Sequence, residues 1–496
     1  MNMMSAPRES LPAPQVYGNE LETSIQFVCQ KDEQGDDILV DSQTLYTFDY
    51  ADYVSTLVPQ ELATGFEYIK NGFRMYDGRC NRNGDERLEI ATAECATVEE
   101  AVISTRVSER LLENGIVQYI ALLRMNGGLE GVKKIRTQKR VIDIEGNVWG
   151  CHDNFGFDEK TFDAITVKLD YLVEYLKTRS LIVGAGYVNN NRQYRFAQKI
   201  DGLTKLAGHG YYGRYFRTAH NTSEEIKRIE IGSSDANISD WATRARIGSA
   251  AILFAVLATD SEKPLRRYGT GEIHVDKILL AGKYLNNAAV KNGSLDLSKD
   301  QWLGVEFQQR LMEIYMDKAA KEVDDNQLLR IAQEIHEFCD DMKKVGLGRE
   351  PFKILADRAD WAAKLTAIQK RIRDAGNLGI HRTFGDYETQ ATDLEYDYTG
   401  YIPKDDRGCF IEQGIGYQIR DRGFFRYTVP EHQIKRMYTT PPRTRAAARC
   451  SLLNSGATIS SVNWHHVTTH ADNVYKEYCL RDASSDQLPV YDVMRY

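Results

Sequence analysis

The 496-residue chain has no C-x-x-C pair among its eight cysteines, which sit scattered at Cys29, Cys80, Cys95, Cys151, Cys339, Cys409, Cys450 and Cys479. That scatter points away from a disulfide framework or a zinc site and toward reduced thiols. A Walker loop and a G-x-G-x-x-G turn are also missing. "VGAGYV" has too few glycines at the required spacing, so a nucleotide, if bound, is held in another way. There is no basic excess: the net charge of −8 argues against a nucleic-acid partner. Long apolar runs are lacking too. "GSAAILFAVLA" is too short to span a bilayer, and "MNMMSAPRESLPAPQ" shows no charged segment followed by an apolar core. The expectation is a cytoplasmic chain without a membrane partner. Its 42% apolar residues suffice for a sizeable core.

Residues 1–15, rich in Pro and Ser, read as a disordered leader, with the fold beginning near Val16. "VYGNELETSIQFVC" reads as a strand, and "NGFRMYDGRCNRNGDERLEIATAEC" as two strands around an Asn83-Gly84 turn. Thr97 and Glu100 form a capping box that opens a helix running to Gly115. Strands are expected at "IVQYIALLRMN", "KRVIDIEGNVWGCHDNF", "LIVGAG" and "KRIEIGSSDANIS". Helices are expected at "TFDAITVKLDYLVEYLKTRS", from Trp241 to Leu257, and in runs between Asp300 and Asp374. The fold class is α+β, with a large, mostly antiparallel sheet and helices segregated to one side.

Side chains alternate faces along a strand, so Glu20 and Glu22 share one. An exposed edge explains "ELE" equally well. A two-residue Asn83-Gly84 turn pairs Gly78 with Glu89 and Tyr76 with Ala91, which gathers Arg74, Tyr76 and Glu89 on one face. A carboxylate and phenol there suit magnesium, and a guanidinium suits phosphate, although a solvent-facing salt-bridge ladder has the same pattern. "SSDANIS" places Asp235, Asn237 and Ser239 on one strand face, or else makes a turn with Ser239 or Asp240 as helix cap. Arg443, Arg445 and Arg449 make a candidate basic patch for phosphate or an acidic partner. In "NVWGCHDNF", His152 falls beside Asn154 and opposite Cys151. Parity therefore disfavours a local cysteine-histidine nucleophile pair, and Cys151 reads as a buried packing residue.

Several motifs, in order, resemble the Pup ligase and depupylase family of glutamine-synthetase-like carboxylate-amine ligases. "EGNVWGCHDNF" resembles the family's "GNSYGCHENY", and "NGFRMY…LEIATAEC" its "NGARLY…PEYATAEC". The likeness continues through "TRSLIVGAG", "SSDANIS", "RADWAAKL", "DLEYDY", "DRGFF", "TTPPRTRA" and "VNWHHV", spanning about 16–470. The resemblance implies a curved antiparallel sheet cradling ATP and Mg2+ in a domain over 16–425, with a small C-terminal domain over 426–496. It implies metal-site roles for Glu20, Glu22, Tyr76, Glu89 and His152, and ATP contacts for Arg74, Thr92 and Trp464. The implied partners are a small Pup-like protein modifier and lysine-bearing target proteins.

The implied reaction activates a glutamate carboxylate as an acyl phosphate for attack by a lysine amine, which needs a base to remove its proton. Here the sequence departs from the family. The family's strand end is "Y-x-D", whereas this chain reads Tyr76-Asp77, which turns Asp77 to the opposite face unless a bulge intervenes. Asp77 is the preferred base and Asp85 its rival. "GNELETS" replaces "GIETEYG", and "AQKI" replaces "SQRA", leaving open a Pup-like protein or another acidic peptide as substrate. The leading expectation is a ligase. A depupylase or deamidase of the same fold and a non-catalytic nucleotide-binding scaffold are the alternatives.

Overall fold

The computed structural model describes residues 14–31, 37–39, 73–75, 86–125, 134–139, 141–142, 148, 150–189, 191, 193–207, 214–219, 226–268, 275–291, 294–319, 326–377, 401–403, 411–453, 458–462, 466–471, 474–480 and 492–495. A nine-stranded sheet organises the chain. Its strands are β1 (Val16–Lys31), β2 (Asp37–Leu39), β3 (Phe73–Met75), β4 (Glu86–Ala91), β5 (Lys134–Gln138), β6 (His152–Phe157), β7 (Lys205–Ala207), β8 (Arg214–Ala219) and β9 (Lys227–Ile231). The order is β3-β4-β1-β6-β9-β8-β7, with β2 and β5 also pairing β1, and among the described strands only β7 and β8 run parallel. The fold class is α+β, as expected.

One face of the sheet is apolar. Leu21, Phe155, Phe157, Ile229 and Ile231 are buried there with the helix Asp240–Ala258, whose Phe254 ring lies 5.1 Å from both Phe155 and Phe157. Each such side chain contributes roughly 1.5–3 kcal/mol on burial. This helix is long and apolar enough to resemble a membrane span, but it is buried within the protein from Asp240 to Leu257. Its Gly248 permits a close crossing, since a Cβ there would stand 2.8 Å from Ile331 of the helix Asn326–Gly346.

Several elements differ from the sequence reading. The helix Val98–Met125 continues through Gly115 and absorbs "IVQYIALLRM", since a single helical glycine costs only about 1 kcal/mol and that segment's apolar residues suit either period. "LIVGAG" holds the short helix Ser180–Val183 rather than a strand. "TFDAITVKLDYLVEYLKTRS" divides into the helices Glu159–Thr166 and Leu169–Thr178. In "KRVIDIEGNVWGCHDNF" the sheet strand begins only at His152, after Cys151 adopts a positive φ of 58°. "SSDANIS" is a turn: Ser239 caps the helix Asp240–Ala258 by accepting from the Ala242 N–H, and the Asp235 carboxylate accepts from the N–H groups of Ala185, Gln198 and Lys199.

The hairpin register also differs. Arg74 pairs with Glu89 and Met75 with Leu88, a displacement of four residues from the two-residue-turn alignment. Glu89 therefore faces Arg74 rather than Gly78, and the expected pairing of Tyr76 lies outside the described residues. An even displacement keeps positions 74 and 89 on the same side of the sheet.

Candidate active site

The second face of the sheet is polar, and register defines its rows. Positions 74, 89 and 22 stand side by side across β3, β4 and β1. Next come Ala91, Glu20 and His152, then Gly18, Asn154, Glu230 and Arg217. Strand parity thus puts positions 22, 74 and 89 on the same face as Glu20, His152 and Asn154. Tyr76, Asp77, Asp85 and Trp464 lie outside the described residues.

Glu20 is the best-defined member. Its Oε2 is 2.8 Å from His152 Nδ1, and its Oε1 accepts from Asn154 Nδ2 at 3.2 Å. Burial alone would raise the pKa of this carboxylic acid. The His152 hydrogen bond and charge, the Arg228 guanidinium and the Asn154 amide outweigh that and hold it down to about 2. Glu20 is therefore a carboxylate near neutral pH. The Nδ1 contact also fixes the orientation of the imidazole, as carboxylate partners do for ligand histidines. Asn154 Oδ1 is buried and has no hydrogen-bond partner among the described residues.

Thr92 is buried behind this surface. Its hydroxyl accepts from the Asn19 N–H at 2.9 Å, and its own N–H donates to the Asn19 carbonyl at 2.8 Å. Gly18 leaves the floor low. A Cβ there would stand 3.7 Å from the Asn154 Cβ and 4.0 Å from the Thr92 hydroxyl oxygen.

Beneath the surface, on the core face, the odd-numbered neighbours lock β1 to β6. Asp153 is fully buried, accepts from Asn19 Nδ2 at 2.9 Å, and is paired with Arg246 Nε at 3.1 Å. Lys199 Nζ donates to the Gly150 carbonyl at 2.8 Å, bracing the turn into β6. Cys151 is buried there, and desolvation raises its thiol pKa, so it is no thiolate nucleophile. Sequence reasoning passed over Asp153 and Lys199 as site supports; parity relative to His152 was the available signal for Asp153, while Lys199, on the short helix Lys199–Gly202, gave none.

The arginine patch is corrected by burial. Arg445 and Arg449 are both buried against the Glu94 carboxylate, and only Arg443 is exposed. Two guanidiniums outweigh desolvation and hold Glu94 down to about 2. They form an internal clamp, not a surface for phosphate. A second buried network joins Glu109 to Arg106 at 2.6 Å, to Arg420 at 2.9 Å and to Lys139, with Arg106 also 3.4 Å from Asp240.

Comparison with known proteins places this geometry. The Pup-ligase protein family model matches residues 28–468. A Pup–protein ligase of Acidimicrobium ferrooxidans is 24% identical over 447 residues, covering 85% of this chain and 87% of the relative. A Pup deamidase/depupylase of Mycobacterium tuberculosis is 24% identical over 414 residues, covering 80% and 74%. The crystal structure of the complex between the prokaryotic ubiquitin-like protein Pup and its ligase PafA superimposes with a TM-score of 0.67 at 17% identity, covering 97% of this chain and 92% of that one. PafA in complex with ADP gives 0.64 at 17% identity, covering 90% and 92%. The last two matches show a shared fold, and the extent of the family match shows that this chain belongs to the Pup-ligase protein family.

Proposed function

We propose that this protein is an ATP- and magnesium-dependent ligase, acting in the cytoplasm, that joins the C-terminal glutamate carboxylate of a Pup-like modifier to a lysine of target proteins. The observation that carries the reading is the ionised Glu20 carboxylate, held between His152 and Asn154 on the sheet's polar face beside the row of Arg74, Glu89 and Glu22. Hard oxygen donors of this kind suit magnesium, and the unpaired buried Oδ1 of Asn154 adds a further acceptor there. Glu20, Glu22 and Glu89 would hold the ion, with His152 orienting Glu20 and Tyr76 the family's further metal-site position. When bound, magnesium neutralises charge on the phosphate oxygens.

Arg74 would meet nucleotide phosphate through its fork of donors, with Thr92 and Trp464 as further nucleotide contacts. Transfer of the γ-phosphate to the modifier's carboxylate yields an acyl phosphate and ADP. The lysine amine then attacks the acyl carbon, an amide forms, and phosphate leaves. Because that amine is protonated near pH 7, the step needs a base. Asp77 is the first candidate and Asp85 the second. Ligation is favoured over amide hydrolysis by "ATAEC" at 91–95, which resembles the ligase branch of the family.

The test supplies purified protein with Mg-ATP, a candidate modifier ending in glutamate and a lysine-bearing acceptor. ATP consumption coupled to isopeptide formation is expected. Cleavage of a preformed isopeptide, or of a C-terminal glutamine amide, without net ATP consumption would make the protein a depupylase or deamidase. Nucleotide binding with neither reaction would leave a scaffold.

A further inference from the structure

The ladder between β1 and β6 ends on the Glu20–His152 pair, because Cys151, the preceding residue on the incoming chain, takes a positive φ of 58°. The metal-site pair therefore occupies a last rung, where strand pairing opens most readily. Asn19, 2% exposed on the core face, braces that rung. Its Nδ2 donates to the His152 carbonyl at 3.2 Å and to Asp153 Oδ1 at 2.9 Å. His152 is thus gripped twice from β1, at its ring by Glu20 and at its carbonyl by Asn19. Asp153 is itself held by the Ser234 hydroxyl and by Arg246 at 3.1 Å, and two hydrogen bonds join the Asn19 backbone to Thr92. Stability does not account for an amide at this position. Its Oδ1 is buried without a hydrogen-bond partner among the described residues, a cost that an apolar side chain of similar size would not incur. In the motifs this chain resembles, "GIETEYG" and "GCHENY", positions 19 and 153 hold Ile and Glu; here a donor and a shorter acid stand there together.

We propose that Asn19 is a positioning residue of the metal site: its amide pins the last β1–β6 rung, so that Glu20 and His152 meet a divalent cation in one arrangement. Asn19 touches no ligand itself, since its side chain lies on the opposite face from Glu20. Groups behind a metal ligand orient it, and their loss is felt in metal affinity. The role rests on the proposed function for the presence of a metal at Glu20.

The test measures Mn2+ binding by electron paramagnetic resonance, and ATP binding with and without Mg2+ by titration calorimetry. The proteins are the parent, Asn19→Leu and the paired Asn19→Ile/Asp153→Glu variant, each with a thermal melt. Asn19→Leu keeps the volume and removes the donor. It is expected to weaken Mn2+ binding about tenfold and to shrink the gain in ATP affinity that Mg2+ confers, while metal-free ATP binding stays at the parent's level. The paired variant is expected to recover most of the Mn2+ affinity. If Asn19→Leu does not melt cooperatively, Asn19→Ser, too short to reach the His152 carbonyl, takes its place. Parental Mn2+ affinity in the single variant, or equal weakening of ATP with and without Mg2+, would overturn the positioning role. Mn2+ binding that depends on Asn19, in a protein that binds no ATP, would keep the role and sink the proposed function. Absence of Mn2+ binding by the parent would overturn the role together with the metal site it serves.

Discussion

The two sides of β6 use the same chemistry for opposite ends. On the polar face, His152 and Asn154 hold a partly accessible Glu20, leaving a carboxylate oriented and able to meet a ligand. One residue away, Asp153 is sealed against Asn19 and Arg246 with no exposure at all. Charge in a sequence motif therefore says little until parity assigns it a side. A buried pair holds strands in place, and its half-buried neighbour is free to bind.

The largest expected effect lies on the sealed side. Replacing Asp153 by Ala removes the carboxylate paired with the buried Arg246, and replacing Glu94 by Ala removes the one clamped by the buried Arg445 and Arg449. Each should cost about 3–5 kcal/mol in chemical denaturation. A cost below about 1 kcal/mol, the range of exposed pairs, would erase the distinction between the two faces.

The next effect is a pH dependence of two opposite signs. Glu94 is held at about 2, below its ordinary 4.5, so the folded state binds its proton less readily than the unfolded state. Its stabilisation is present above 4.5 and is lost as pH falls toward 2. Asp240 is pushed up to about 7 by burial, with the neighbouring Glu109 adding to the rise against the opposing Arg106. The folded state binds that proton more tightly, so stability falls as pH rises from 3.8 toward 7. Asp240→Asn should flatten that decline in melting curves while leaving the acid limb intact; an unaltered decline would place its origin elsewhere.

The smallest effect is at Cys151. Cys151→Ala removes a buried thiol beside the site and should lower stability by about 1 kcal/mol, with turnover kept. Abolished turnover in a folded variant would return the thiol to the chemistry.

The site's outline was legible because strand parity is a strict rule: Glu20 with Glu22, and His152 with Asn154, follow from counting. The hairpin was legible as two strands but not in register, since a four-residue displacement preserves the alternation that counting reads. "TTPPRTRA" and "SSDANIS" were legible as charged or polar and illegible as buried, because burial depends on what packs over them: Glu94 from a distant strand end for one, the helix Asp240–Ala258 for the other. Glu230, paired with Arg217 across the sheet at 2.6 Å, gave no signal, since the charged residues of "KRIEI" read equally as a solvated face.

The central claim is that the polar face binds metal and nucleotide through Glu20. Titration calorimetry with ATP, with and without magnesium, on the parent and on Glu20→Gln tests it most directly. Magnesium-dependent binding by the parent, weakened at least about tenfold in a Glu20→Gln variant that melts like the parent, is the predicted result. Equal affinity of the two proteins for Mg-ATP would contradict it.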